Sequence, residues 1–388
     1  IKNNKGSKTP GIDGLNKFNW NEEEAVKLAV QLQSGEYEPV PVRRVLIDKK
    51  NKPGQKRPLG IPTFRDRIVQ CALKLLLEAL YEPIFFDCSH GFRPHRACQT
   101  AAMQIMDSPR VRIDWVIEGD IKGCFDNICH QKLLKILQRR IKDDRLLKLI
   151  AKFLKAGYFE RERWNPTKAG TPQGGIISPL LANIYLHEID RFVQDEFGAN
   201  QTPVQSPSER GARISKEWRK VVSRIYRLRK ILKGEFKSPL TRTEAETELQ
   251  RLLKFRASLP CTTEPMKPRI TYVRYADDFV ILLRNLPKEE AERIKTRLTE
   301  WVGNELALVL SPEKTAITHI NDGFMFLGYR FMAKKTEMAQ PRVKIVIPHE
   351  AAQSKLQDIK KVCQQLDIPE TEIIRKLNNM LRGWMIYY

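Results

Sequence analysis

The amino-acid sequence predicts an α+β fold, with antiparallel strand pairs carrying the chemistry and helices packed around them. Three observations lead there. Residues 270–283 (ITYVRYADDFVILL) are two strand-like runs on either side of Ala276-Asp277-Asp278, the pattern of a hairpin with acids at its tip. Residues 41–62 (PVRRVLIDKKNKPGQKRPLGIP) read as a second hairpin turning at a Gly/Pro/Asn segment. Residues 66–80 place Ile68, Leu73, Leu76, Leu77 and Leu80 at helical spacing, and similar stretches recur along the chain.

In chain order, residues 3–14 (NNKGSKTPGIDG) are a loop by their Gly, Lys and Ser/Thr content. A short amphipathic helix is expected over 22–33. The hairpin follows, with strands at 42–48 and 57–61 and its turn at 51–54. Helix 66–80 ends at Pro83. A short strand, 114–120, leads to Asp120, and helices are expected over 131–140 and 144–155, before Gly157. Residues 169–190 (AGTPQGGIISPLLANIYLHEID) begin as a loop. Ser178-Pro179 then starts a helix, with Pro in its first turn. Residues 198–268 change character: two basic amphipathic stretches, 215–233 and 243–255, lie between Pro-containing linkers and read as a helical insertion on a finished core. After the acidic hairpin come a helix near 288–302, a strand-rich segment 324–331, and a helical pattern over 350–388.

At 388 residues the chain is too long for one ordinary core, so two or three coupled domains are expected. It opens on Ile1 and stops at Tyr387-Tyr388, and both ends are expected to be incomplete. Lys and Arg number 68 against 46 Asp and Glu, giving a net charge of +22, which favours a polyanionic partner. No apolar run nears the roughly 20 residues a spanning helix needs, and no secretory signal is visible. The seven cysteines (71, 88, 98, 124, 129, 261, 363) form no Cys-x-x-Cys pair and no zinc set, as expected of reduced thiols in a cytosolic protein.

Phosphoryl transfer asks a protein for positioned metal ions more than for covalent chemistry. Hard Mg²⁺ takes a few carboxylate oxygens plus substrate phosphates. Asp277 and Asp278 at a hairpin tip, with Asp120 closing another strand, supply such a set. An Asp-Asp pair in a turn is more often simply solvated. Here it lies between apolar strands, where adjacent carboxylates repel and a cation would offset that cost.

Several motifs together resemble the reverse transcriptases of group II introns. YADD (275–278) resembles their metal-binding hairpin and DIKGCFD (120–126) their first metal motif. TPQGGIISPLLANIYL (171–186) is similar to the motif facing template and nucleotide. EKT (313–315) and FLGYRF (326–331) resemble the two later motifs, the second beside the primer grip. KGSKTPGIDG (5–14) resembles the class's N-terminal extension, and RPLGIPTFRDRIVQ (57–70) and SHGFRPHR (89–96) complete the series, so the likeness covers nearly the whole chain. There are departures: Asp48 stands where the family often has Pro, and Cys124-Phe125 where it often has two aromatics.

The resemblance implies a right-hand polymerase: fingers 1–95 and 131–175, palm 96–130 and 176–340 including the insertion 198–268, and the start of a helical thumb from 341. It implies that Asp120, Asp277 and Asp278 bind two Mg²⁺ ions, with a backbone carbonyl from Ile121. Phe125 would be the steric gate against a 2′-hydroxyl. Lys49 and Arg57 would reach the triphosphate, Gln173 would lie against the nucleotide, and Lys314 would neutralise or protonate the leaving pyrophosphate. Lys8, Gly11, Arg93 and Arg96 would meet the template, and Phe326, Leu327, Gly328 and Tyr329 the primer region. The implied function is RNA-directed DNA synthesis from deoxynucleoside triphosphates, primed at target DNA and copying intron RNA, with intron RNA also bound for splicing. Two alternatives stay open: a splicing cofactor acting by RNA binding, and a domesticated reverse transcriptase in phage defence or CRISPR spacer acquisition. An RNA-copying RNA polymerase is disfavoured by Phe125 and by the Tyr-Ala-Asp-Asp hairpin at 275–278, and a retron or retroviral enzyme by the N-terminal segment and the insertion. Homodimerisation stays open. A bacterial cytoplasmic location is expected, with an organellar one as the alternative. The insertion's role is open between RNA contact and a packing spacer.

Overall fold

The structure is a computed structural model that describes residues 1, 3–48, 54, 56–107, 113–160, 163–167, 169–171, 174–200, 215–237, 239–259, 268–334, 342–365 and 367–388. Helix α1 (Glu22–Ser34) precedes strands β1 (Val42–Asp48) and β2 (Lys56–Ile61), then α2 (Phe64–Tyr81) and α3 (Cys98–Asp107). Strand β3 (Trp115–Asp120) leads through α4 (Cys124–Asn127) to α5 (His130–Gln138) and α6 (Asp144–Lys155), short strands β4 (Tyr158–Glu160) and β5 (Arg163–Asn165), and α7 (Ser178–Phe197). Helices α8 (Lys216–Leu232) and α9 (Arg242–Ser258) form the insertion. Strands β6 (Arg269–Tyr275) and β7 (Asp278–Arg284) follow, then α10 (Lys288–Leu306), β8 (Ala316–His319), β9 (Phe324–Phe326), β10 (Tyr329–Lys334), β11 (Arg342–Val346), α11 (His349–Cys363) and α12 (Glu370–Tyr387).

The architecture is α+β, as the sequence predicts, and its centre is an antiparallel sheet in the order β6-β7-β3-β8. Side chains alternate along β7. Phe279, Ile281 and Leu283 enter a large cluster with Tyr185, Ile189 and Leu298 of the flanking helices. Val280 and Leu282 enter a second cluster with Ala101, Ile105, Phe324 and Phe331. The sheet is therefore covered on both faces, and this is why its central strand reads as one continuous apolar run. Strand β3 carries Gly119 where a Cβ would come within 2.1 Å of the Phe279 ring, so the ring lies flat on the strand just before Asp120.

Local signals set the helix ends. Thr63 caps α2 by accepting from the Asp66 amide, Asp143 caps α6, and Thr241 with Glu244 forms a capping box on α9. Helix α7 starts with Pro179 and stops at Gly198, whose φ of +63° is the left-handed cap that favours glycine.

The expected hairpin β1-β2 is present and antiparallel, with Arg43 opposite Ile61 and Asp48 opposite Lys56. Residues 51–53 of its expected turn lie outside the described residues. The pair extends into a four-stranded sheet, β2-β1-β4-β5, through a parallel pairing of β1 with β4 that the sequence reading lacks. At three residues each, β4 and β5 are too short to show a period; β4 pairs with β1, far upstream, and β5 pairs only with β4. Strands β8 and β11 and helices α3 and α4 are likewise additions. The third sheet, β11-β10-β9, abuts the second core cluster. No described helix is long and apolar enough to cross a membrane, and the described cysteines are all free.

Candidate active site

The acidic hairpin turns in two residues, Ala276 and Asp277, between the paired Tyr275 and Asp278. Ala276 takes a φ of +55°, a conformation L-residues seldom adopt outside places where the surroundings enforce it. The enforcement comes from a buried network behind the turn. Arg274 is fully buried; it donates from Nε and Nη2 to Asp190 at 2.6 Å each, from Nη2 to Ser89 Oγ, and from Nη1 to Asn183 and to the Ala276 carbonyl at 3.0 Å. Asn183 in turn donates to the Gly91 carbonyl at 2.7 Å, and Gly91 lies so close that a Cβ there would stand 2.3 Å from the Ala276 nitrogen. The segment before Gly91 runs beside β6, with His90 N donating to the Arg274 carbonyl and Arg274 N to that of Cys88.

The turn delivers its acids to Asp120. Asp278 is directly opposite Asp120 in the β3-β7 register, and the Ile121 amide donates to the Asp277 carbonyl at 3.3 Å. The structure thus brings the three expected carboxylates together from two strands. Burial, reinforced by Asp277 and by a hydrogen bond with Asp120, pushes the Asp278 carboxyl up to about 7. Burial and the Asp120 charge also raise Asp277. Lys314 supplies the nearest positive charge, its Nζ 2.9 Å from Asp120 Oδ1, and this pairing raises the ammonium pKa. The loop bearing Lys314 is fixed by Ser311 N donating to the Asp120 carbonyl at 2.7 Å.

Among the described residues no three acidic, His or Cys side chains stand at metal-ligand spacing around one point, and Asp120 faces Lys314. The donor set nonetheless fits a hard divalent cation: Asp277 and Asp278, raised in pKa by burial and by the carboxylates beside them, have Lys314 as their nearest positive charge, and Lys314 is paired with Asp120. Ile121, the expected carbonyl donor, is buried beside them, bridged to Leu310.

Phe125 is partly buried in the short helix after Asp120. Its carbonyl accepts from Thr171 N at 2.7 Å, and Gly170, at φ +88°, has no room for a Cβ against Phe125 O. Its ring meets Phe92 edge-on, centroids 6.1 Å apart. Phe92 is 52% exposed with φ +57° and went unread in the sequence; an aromatic between Gly91 and Arg93 in a polar loop was its only signal. Arg274, Asn183 and Asp190 were missed too, although a lone arginine inside an apolar strand was legible.

Arg57 is exposed on β2 opposite Ile47. Lys49 and Gln173 lie outside the described residues. Gly174, next to Gln173, is pressed on β2, with a Cβ 2.2 Å from the Gly60 carbonyl. Lys8 is exposed, but its segment is pinned: Arg67 donates to the carbonyls of Gly6, Thr9 and Pro62, and Arg43 to that of Pro10. Gly11 is buried, its Cα facing Thr63 backbone too closely for a Cβ.

Four of the expected contact residues are engaged by other residues of the chain. Arg93, expected at template phosphates, is buried, paired with Glu82 at 2.8 Å and bonded to the carbonyls of Phe86 and Ser89. Arg96 is bound to Asp87 at 2.6 Å. Phe326 and Tyr329, expected at the primer, are 5% and 3% exposed and belong to the second core cluster; Tyr329 stacks on Tyr387. An alternating strand sends every other residue inward, which a motif match does not register. Leu327 and Gly328 form the turn between β9 and β10, with φ of +50° and +75°.

Residues 47–206 and 219–331 match the family model described as reverse transcriptase (RNA-dependent DNA polymerase). The chain is similar to the group II intron-encoded protein LtrA of Lactococcus lactis subsp. cremoris, 43% identical over 339 residues, covering 87% of this chain and 54% of that protein. It is 37% identical over 357 residues to protein YkfC of Escherichia coli K12, covering 90% of this chain and 83% of that one. An uncharacterized 91 kDa protein in the cob intron of Schizosaccharomyces pombe is 32% identical over 408 residues, covering 100% and 48%. The chain thus spans about half the length of the LtrA relative.

Proposed function

We propose, for a chain that belongs to the reverse transcriptase family, that it extends a DNA primer on an RNA template, and that its native template and binding partner is group II intron RNA. The observation that carries this reading is the register that sets Asp278 against Asp120, with Asp277 beside them on an enforced turn. Divalent-metal dependence goes with the family, and we assign the ions as two Mg²⁺. Asp120, Asp277 and Asp278 would hold them, with the Ile121 carbonyl. When bound, the ions lower the pKa of the primer 3′-hydroxyl and neutralise charge on the transferring phosphate.

The protein's own groups do the rest. Arg57 and Lys49 draw in the triphosphate, and Gln173 lines the nucleotide. Phe125, backed by Phe92 and clamped through its carbonyl by Thr171, fills the space a 2′-hydroxyl would need. Lys314 keeps an ammonium beside Asp120, where it can meet charge leaving on pyrophosphate. Lys8 tracks the template backbone, which positions without reading sequence. Target DNA as the primer source, and splicing assistance through bound intron RNA, complete the reading.

Primer extension on an RNA template with Mg²⁺ and deoxynucleotides tests it. The unmodified chain should extend, and Asp277→Asn with Asp278→Asn should abolish extension while leaving RNA affinity intact. Tight intron-RNA binding without extension by the unmodified chain would replace the polymerase reading with that of a splicing cofactor.

A further inference from the structure

The insertion forms a helical hairpin with its own small core. Helix α8 buries Val221, Val222, Ile225 and Leu228, and α9 packs against it, burying Ala245. The two helices differ sharply in charge. Over its seventeen residues α8 carries seven Lys or Arg against one Glu; over the same length α9 carries four against three. On α9, Arg242 pairs with Glu246 and Arg251 with Glu248. On α8, Lys216, Arg219, Lys220, Arg224 and Arg227 are all exposed, and among the described residues none of the five pairs with a carboxylate. At about 100° per residue these five fall on the side opposite the apolar stripe. From Lys216 to Arg227 they run about 17 Å along the helix axis, and apart from the consecutive Arg219 and Lys220 they follow one another at about one turn.

A spacer would have no use for such a face, since unpaired like charges on one helix destabilise it. We infer that the outward face of α8 is a docking rail for the phosphate backbone of double-helical RNA. An exposed helix face is convex, and this one holds the five cations with Ser223 among them and Glu217 and Tyr226 at its edges. Single strands are generally held in a basic groove with aromatic platforms for the bases, whereas shape and backbone contacts suffice for an RNA duplex. The aromatics at its rim, Tyr226 and Phe236, are 40% and 50% exposed, but Lys230 stands over both rings, 5.2 and 5.1 Å from their centroids, so a cation already occupies one face of each. This inference rests on the reading that the protein works on RNA, and adds that RNA is held at a surface separate from the carboxylate site.

The test compares two variants that lose equal charge: Lys216→Gln with Lys220→Gln and Arg227→Gln on α8, and Arg242→Gln with Arg251→Gln and Lys254→Gln on α9. Binding of a 20-base-pair RNA duplex is titrated from 0.05 to 0.3 M NaCl, with circular dichroism verifying the fold. The α8 variant should bind more weakly by on the order of tenfold or more near 0.15 M, with a log–log salt slope shallower by about two to three. The α9 variant should stay near the parent. Equal losses in both variants would overturn the rail, because charge alone would then explain binding. An unchanged duplex affinity in the α8 variant would overturn it as well, and loss of binding to phosphatidylserine vesicles instead would assign the face to membrane lipid. Extension of a short primer–template should persist in the α8 variant; its loss together with duplex binding would merge the face with the polymerase track. A parent that extends no primer, yet binds duplex in an α8-dependent way, would leave the rail standing while the polymerase reading falls.

Discussion

Phe125 shows how much one residue's role depends on what grips it. As an aromatic five positions after Asp120 it is legible in the sequence. Its partners are not, because Thr171 and Gly170 reach it from a loop more than forty residues downstream and Phe92 from one upstream. The same holds for the acids: Asp120, Asp277 and Asp278 were readable as types in a pattern, while their burial and mutual repulsion needed the register of β3 against β7. Arg93 is the opposite case. Its motif read as template contact, and folding turned its guanidinium onto Glu82 and two carbonyls. If Phe125 is the gate, Phe125→Ala should cut discrimination against ribonucleotides with little change in deoxynucleotide use. A buried-contact difference of about 1–3 kcal/mol corresponds to roughly 10- to 200-fold. Single-nucleotide incorporation, comparing kcat/KM for the two sugars, measures it. A uniform loss for both sugars would mean the ring serves packing alone.

At the scale of the element, the acidic hairpin is not self-supporting. Its turn contains Ala276 at positive φ, a position where glycine is the usual choice. The conformation is held by the Arg274–Ala276 hydrogen bond on one side and by Gly91 on the other. Gly91→Ala should therefore displace the turn, since backbone cannot yield as a flexible side chain can. Extension should fall by two orders of magnitude or more, on the grounds that misplacement of reacting groups by about 1 Å costs about that much. Near-normal extension by a folded Gly91→Ala protein would show that the turn keeps its place without this contact. Long helices and hairpins with local signals, such as α2, α6 and β6-β7, were legible from periodicity and caps. Strands β4, β5 and β8 were not, because each is short, and β4 and β8 owe their place to partners distant in sequence while β5 depends on β4.

At the scale of the molecule, the buried Arg274–Asp190 pair ties three regions together: the hairpin, α7, and the segment around Ser89. Both side chains are fully buried, and breaking such a pair leaves an uncompensated charge inside. Burial alone would raise the Asp190 carboxyl, but the guanidinium against it holds it down at about 2. A carboxyl whose folded pKa is depressed binds fewer protons folded than unfolded. Its contribution is thus complete above the unfolded value near 4, and it is lost as pH falls through about 2. The lost stability is about 2–3 kcal/mol. Comparing the parent with Asp190→Asn by thermal unfolding from pH 7 to pH 2 isolates this term. The parent should be more stable by a constant margin between pH 7 and about pH 5. That margin should shrink below pH 4 and largely close near pH 2, where Asp190 is itself becoming neutral. A margin that keeps its size through pH 2 would locate the effect of the substitution in packing, and would remove the ion pair from the account of what holds the catalytic turn to the rest of the sheet.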